Sequence, residues 1–230
     1  MLRLATHRVQ AGGGASVEQL LRVHNFGVSA DGYSAGADQS LEHPFGHADP
    51  RDLMGWAFST ASWANRSEPG GTRGLDDYFT REFSRNIGAE IMGRNKFGPQ
   101  RGPWQDEEWK GWWGDEPPFH TPVFVLTHHA RPSFALGDTT FHFVSGEPSE
   151  VLAQARAAAA GRDVRLGGGA DSLRQFLDAD LVDTMHIAVA PIELGAGTRL
   201  WTSPAELDDR FHREEVPSSS GVVHHLLWRR

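Results

Sequence analysis

The chain has 230 residues, 22 Lys and Arg against 30 Asp and Glu for a net charge of −8, and no cysteine. That length permits a large core, and the missing cysteines exclude disulfides, thiolate nucleophiles, iron–sulfur clusters and Cys-ligated zinc. An acidic balance without a basic stripe argues against nucleic acid as a partner, and no apolar window or N-terminal apolar core marks a membrane span or signal peptide, so a soluble cytoplasmic protein is expected.

Residues 1–19, with Gly12, Gly13 and Gly14 in succession, read as a flexible leader, and residues 20–230 as one domain. Residues 20–29 cluster Leu20, Leu21, Val23, Phe26 and Val28 before the turn pair Asp31 and Gly32, as in a buried strand. A short helix is expected over 52–63 after Pro50. A clearer one follows, because Leu75, Tyr78, Phe79, Phe83 and Ile87 form one stripe of 3.6-residue period. Residues 90–93 make a short strand that ends in Gly93 and runs into the cations Arg94 and Lys96. An irregular segment over 98–120 holds Trp104, Trp109, Trp112 and Trp113; it reads either as a lid or as an apolar anchor. The run 122–127 suits a strand buried on both faces of a parallel sheet, and 139–144 is a second strand. A plain helix over 148–160, a strand over 163–166, three glycines (Gly167, Gly168, Gly169), a helix over 170–177 and a strand over 182–190 follow in order. Residues 210–216 and 222–228 form a terminal antiparallel pair. Strands alternating with helices assemble by right-handed crossovers into an α/β domain with a mostly parallel mixed sheet of about eight strands.

Strand, glycines and helix bring backbone amides and a positive helix end to a phosphate, although a tight turn explains the same residues and the pattern is not G-x-G-x-x-G. Two further loops, at 93–96 and 127–131, also turn cationic directly after a strand. Open α/β sheets bind ligands at the carboxyl ends of their strands, so three anion-friendly loops there outweigh any one of them. The paired histidines His128 and His129, and His224 and His225, alternate across a strand and cannot share one ion, so no metal site is expected.

The ordered set of residues 28–33, Ile91-Met92-Gly93-Arg94, the strand to Thr127, Gly167-Gly168-Gly169, and 181–183 running to 191–197 resembles the dihydrofolate reductase-like superfamily, in the branch of the riboflavin-biosynthesis reductase domain. The resemblance implies NADPH bound across the sheet. Gly93, Arg94 and Asn95 would meet phosphate, Thr127 and His128 would lie near the adenosine 2′-phosphate, and Gly167, Gly168, Gly169 and Ala170 would cradle the pyrophosphate. Lys96 replaces the Thr usual in the folate branch, which makes that contact ionic. Asn25 stands where the riboflavin branch tends to carry Lys, which argues against a ribosylaminopyrimidine substrate, and no deaminase half is visible.

The implied activity is transfer of a hydride from NADPH to a small heterocyclic or carbonyl compound; a cofactor-binding module with little activity is the alternative. The resemblance also implies a carboxylate near the start of the helix before the Gly-Arg strand. An ungapped count gives Asp77, whereas helical geometry puts Asp76 on the face of Phe79 and Phe83. Asp76 also reads as a helix cap. Asp31, in the Asp-Gly loop, is the third candidate. A small-molecule substrate is the expected partner, and a homodimer is compatible with the sequence.

Overall fold

The computed structural model describes residues 18–63 and 69–230, so residues 1–17 of the expected leader lie outside the described residues. Strand β1 (Leu21–Ser29) lies inside a nine-stranded sheet, and β2 (Tyr33–Ala35) pairs with β9 (Thr198–Arg199) in a separate ribbon. The remaining members are β3 (Ile87–Gly93), β4 (Pro122–Leu126), β5 (Phe134–Leu136), β6 (Thr139–Val144), β7 (Asp163–Leu166), β8 (Thr184–Ala190), β10 (Phe211–Pro217) and β11 (Val223–Arg229). Their order is β10-β11-β8-β1-β7-β3-β4-β6-β5. The six strands from β8 to β6 run parallel, and β11, β10 and β5 add antiparallel edges. The fold class read from the sequence is the one observed.

Alternation along the strands sorts the core into two layers. Leu21, Val23, Ala89, Ile91, Val164 and Leu166 face α4 (Pro148–Ala158) and α5 (Ala170–Asp178), while Met92, Val123, Val125 and Phe141 face the Trp-rich segment. Ala188 and Ala190 on that second face pack under α1 (Pro50–Phe58) and α2 (Leu75–Arg81). The remaining α-helix, α3 (Arg94–Phe97), is a single turn continuing directly from β3.

Three local expectations change. Helix α1 is capped by Asp49, whose carboxylate accepts from the Arg51 amide at 2.8 Å, and ends at Phe58 rather than Trp63. The stripe through Ile87 is not one helix: α2 ends at Arg81, a 3-10 turn covers Glu82–Ser84, and Ile87 opens β3, because the buried stretch from Ile87 to Gly93 satisfies its backbone in the sheet. Asp76 is not a cap; Gly74 holds that position and Asp76 lies in the first turn of α2.

Candidate functional site

Strands β1 and β7 pair only at Leu21 with Val164 and at Arg22 with Arg165. Beyond Arg22, β1 bulges and continues to Ser29 against β8 alone, so the sheet parts between β1 and β7 on its carboxyl-terminal side. The chain reverses its winding at this place, since β7 and β8 flank β1, and such switch points open crevices in α/β sheets. The glycine loop that follows β7 borders the parting: a Cβ built on Gly168 would stand 3.6 Å from Phe26 of β1. The Gly168 carbonyl accepts from the Gly93 amide at 2.9 Å, locking the loop to the end of β3. The amides of Gly168 and Gly169 have no acceptor among the described residues, and they open the nine-residue helix α5. Two free donors at a helix N-terminus fit a phosphate.

The loops after β7, β3 and β4 are neighbours because those strands are adjacent, so the structure brings the three anion-friendly loops to one edge. On α3, Arg94 stacks over Trp104 at 4.0 Å and donates through Nη1 to the Gly102 carbonyl at 2.5 Å. Its Nε and Nη2 are buried and unpartnered, two donors for an oxyanion. Asn95 shares the same turn. Thr127 is buried and its hydroxyl accepts from the His129 amide at 3.1 Å, while His128 is exposed beside it. Ala170 is fully buried at the start of α5 and contributes backbone alone.

Lys96 turns inward. Its Nζ donates to the Gly167 carbonyl at 2.5 Å and lies 3.3 Å from Glu90 Oε1, which also takes Arg165 at 2.6 Å. The Trp-rich segment holds α3 in place. The indoles of Trp112 and Trp109 donate to the carbonyls of Lys96 and Phe97 at 2.9 Å each, satisfying acceptors that a helix end leaves open, and Trp104 donates to the His129 carbonyl at 2.9 Å. Of the two readings of this segment, the described contacts are those of an anchor.

The three candidate carboxylates lie apart. Asp31 accepts from the Ser29 hydroxyl at 2.5 Å and from the amides of Leu194 and Gly195 at 3.1 and 2.8 Å; these bonds outweigh the effect of burial and hold its carboxyl below the usual range. Asp77 accepts from the Ser62 amide at 2.8 Å. Asp76, on the face of Phe79 as helical geometry requires, meets His224 Nε2 at 2.8 Å. His224 Nδ1 in turn meets His186 Nε2 at 2.8 Å, and His186 Nδ1 lies 3.3 Å from the Asn25 amide. The same imidazole nitrogen lies 3.1 Å from Asn25 Oδ1, so a continuous polar chain joins Asn25, His186, His224 and Asp76. Phe79 stacks on His186 at 4.1 Å and Trp56 meets both imidazoles edge-on. Burial, then the His224 charge, pushes the His186 imidazole well below its ordinary range. Sequence reasoning missed this chain: its members come from β1, α2, β8 and β11, and only the strand register aligns them.

A cavity of about 820 Å³ opens on the carboxyl-terminal side, between the loop after β2 and the start of α1, lined among others by His43, His47, Asp49 and Phe58. His47 bridges it to the Leu194 carbonyl at 3.2 Å, in the loop that Asp31 fixes.

Comparison with known proteins agrees with this architecture. The sequence profile of the RibD C-terminal domain matches residues 23–218. The chain belongs to that family. Among solved structures, the RibD C-terminal domain fold recurs in a putative riboflavin biosynthesis protein from Shewanella sp. PV-4, at 19% identity and TM-score 0.52 over 92% of this chain and 98% of the other. A pyrimidine reductase-like protein from Corynebacterium diphtheriae matches at 15% identity and TM-score 0.46 over 96% of each chain. A dihydrofolate reductase from Enterococcus faecalis complexed with NADP(H) and RAB-propyl matches at 14% identity and TM-score 0.44 over 79% of this chain and 92% of the other. No curated protein matches the chain. The family supports a reductase-type fold, and among the described residues no helix is long and apolar enough to cross a membrane.

Proposed function

We propose that this RibD C-terminal domain protein is a cytoplasmic NADPH-dependent reductase acting on a small heterocyclic or carbonyl substrate. The observation that carries the reading is that the loop with the unpartnered Gly168 and Gly169 amides is bonded to Gly93, the residue before Arg94, whose Nε and Nη2 are also unpartnered. The glycine amides would hold pyrophosphate, and Arg94 with Thr127 and His128 would meet the 2′-phosphate. When bound, NADPH supplies the hydride, while the protein supplies orientation and a proton. Asn25 is engaged with His186 and offers no ammonium, so a ribosylaminopyrimidine is not the favoured substrate.

Thermal-shift titration tests the reading. NADPH should raise the unfolding midpoint more than NADH, and at a hundred times its dissociation constant the stabilisation is about 2.7 kcal/mol. Arg94→Ala should weaken NADPH by roughly 1.5–3 kcal/mol, the worth of a charge-assisted bond. Equal shifts from the two cofactors, or an Arg94→Ala variant with unchanged affinity, would overturn it.

A further inference from the structure

A buried charge network runs beneath the glycine loop and opens at one residue. Arg165 and Glu90 expose 1% and 2% of their side chains, whereas Lys96, on the same carboxylate, exposes 27%. Arg165 is also packed over the Phe83 ring, and its Nε and Nη1 are unpartnered. Two cations therefore share one carboxylate in a low-dielectric layer, an arrangement eased when one cation gives up a proton. Arg does not release one near neutral pH, and Lys does so readily when buried. Lys96 is also the member that reaches the parting: its Cδ lies 3.5 Å from where a Gly168 Cβ would stand, the point that Phe26 of β1 approaches to 3.6 Å. Two of its three ammonium protons are directed at Gly167 O and Glu90, which leaves one undirected.

The candidate carboxylates are placed differently. Asp31 is fixed by loop amides, Asp77 by the Ser62 amide, and Asp76 closes the histidine chain from across β1. We infer that Lys96 is the proton donor of the reductase, giving a proton from Nζ to the heteroatom of the substrate's C=O or C=N bond. This rests on the reductase reading above. The carbon takes the hydride from NADPH, the π pair of the C=X bond takes the Lys96 proton, and NADP⁺, the reduced CH–XH product and a neutral amine remain. Water then reprotonates the amine, whose cation Glu90 stabilises. Burial, followed by the Arg165 charge, moves the ammonium down to about 8 against the pull of Glu90. The Phe119 ring of the Trp-rich segment, which also faces it, carries no charge.

The test uses the full chain and Lys96→Met, which keeps the length of the side chain without its charge. NADPH affinity is read by fluorescence titration, reduction of aldehyde, ketone and cyclic imine substrates by NADPH absorbance, and the Lys96 midpoint by NMR of the labelled lysine in the free protein. The expected result is NADPH affinity within threefold of wild type, reduction at least a hundredfold slower, a wild-type rate that declines above about pH 8, and a Lys96 midpoint that falls further in Glu90→Gln. Tenfold or greater loss of NADPH affinity in Lys96→Met would make Lys96 a phosphate contact and overturn the donor role alone. So would undiminished reduction, or a midpoint above 10. Wild-type protein that binds no NADPH, or binds it and reduces no member of the panel, overturns the reductase reading and the donor role together.

Discussion

Gly168 has a φ of +126°, a backbone conformation that a β-branched residue resists, and its carbonyl is the acceptor that ties the glycine loop to Gly93. Gly168→Val should therefore keep the sheet but displace the Gly168 and Gly169 amides. The expected outcome is loss of the NADPH thermal shift by a variant whose far-ultraviolet circular dichroism is that of wild type; a retained shift would mean that the loop is a turn and nothing more. At this scale the sequence is legible where chemistry is local. Gly167 to Gly169, Arg94 and Thr127 announce themselves because each follows its own strand directly, whereas helical geometry does not separate Asp76 from Asp77: Asp77 is itself buried, and Phe83 lies beyond the end of α2. Lys96 is legible as a cation, but its inward turn depends on Glu90 and Arg165, which meet only through the pairing of β3 with β7. The histidine chain is hidden for the same reason: Asp76 and His224 are 148 residues apart.

Among the elements, the Trp-rich segment shows how a stretch without regular structure is held. Arg131 is 8% exposed, and its Nη2 donates to the carbonyls of Glu107 and Trp109 at 2.5 and 2.6 Å. Its guanidinium lies 5.0 to 5.5 Å from the ring centroids of Phe97, Trp104, Phe134 and Phe143. It is the polar pin of an apolar anchor. Arg131→Ala leaves two carbonyls without their donor and should cost roughly 2–3 kcal/mol. The corresponding fall in unfolding midpoint is about 4–12 °C for a chain of this size. Limited proteolysis should cut first within 98–121 in the variant, and protection equal to wild type would show that the aromatic contacts alone suffice. Composition could locate this segment but could not separate lid from anchor, because indole-to-carbonyl bonds involve backbone acceptors that a sequence does not advertise. Element ends fail in a related way: α2 stops at Arg81 although the apolar stripe continues, since a residue at helical spacing can equally begin a buried strand.

For the whole molecule, the buried imidazoles set the response to acid. Burial and Arg22 move His24 down to about 4, and burial with His224 moves His186 well below the ordinary 6.5. A depressed folded value means that the unfolded chain binds protons first as pH falls below about 6.5, so the unfolded state gains. Stability contributed by neutral His24 and His186 is complete above about pH 7 and is lost progressively towards about pH 4. The unfolding midpoint should fall by several degrees between about pH 7 and pH 5, and His186→Asn should flatten that slope. A midpoint independent of pH over that range would contradict the buried, neutral chain.

The place of β1 has a kinetic consequence. It is the first strand in sequence, yet its neighbours are β7 and β8; Leu20 meets Asp163 at a separation of 143 residues, and Asn25 meets His186 at 161. Contacts of such long range form late, because the loop must close before any bond rewards it. The consecutive units from β3 to β7 can dock through shorter closures, while β1 waits with both edges open and Val23, Phe26 and Val28 uncovered. On the ribosome that wait lasts until β8 has emerged, so this interior strand of the finished sheet is the nascent chain's longest exposure to wrong partners.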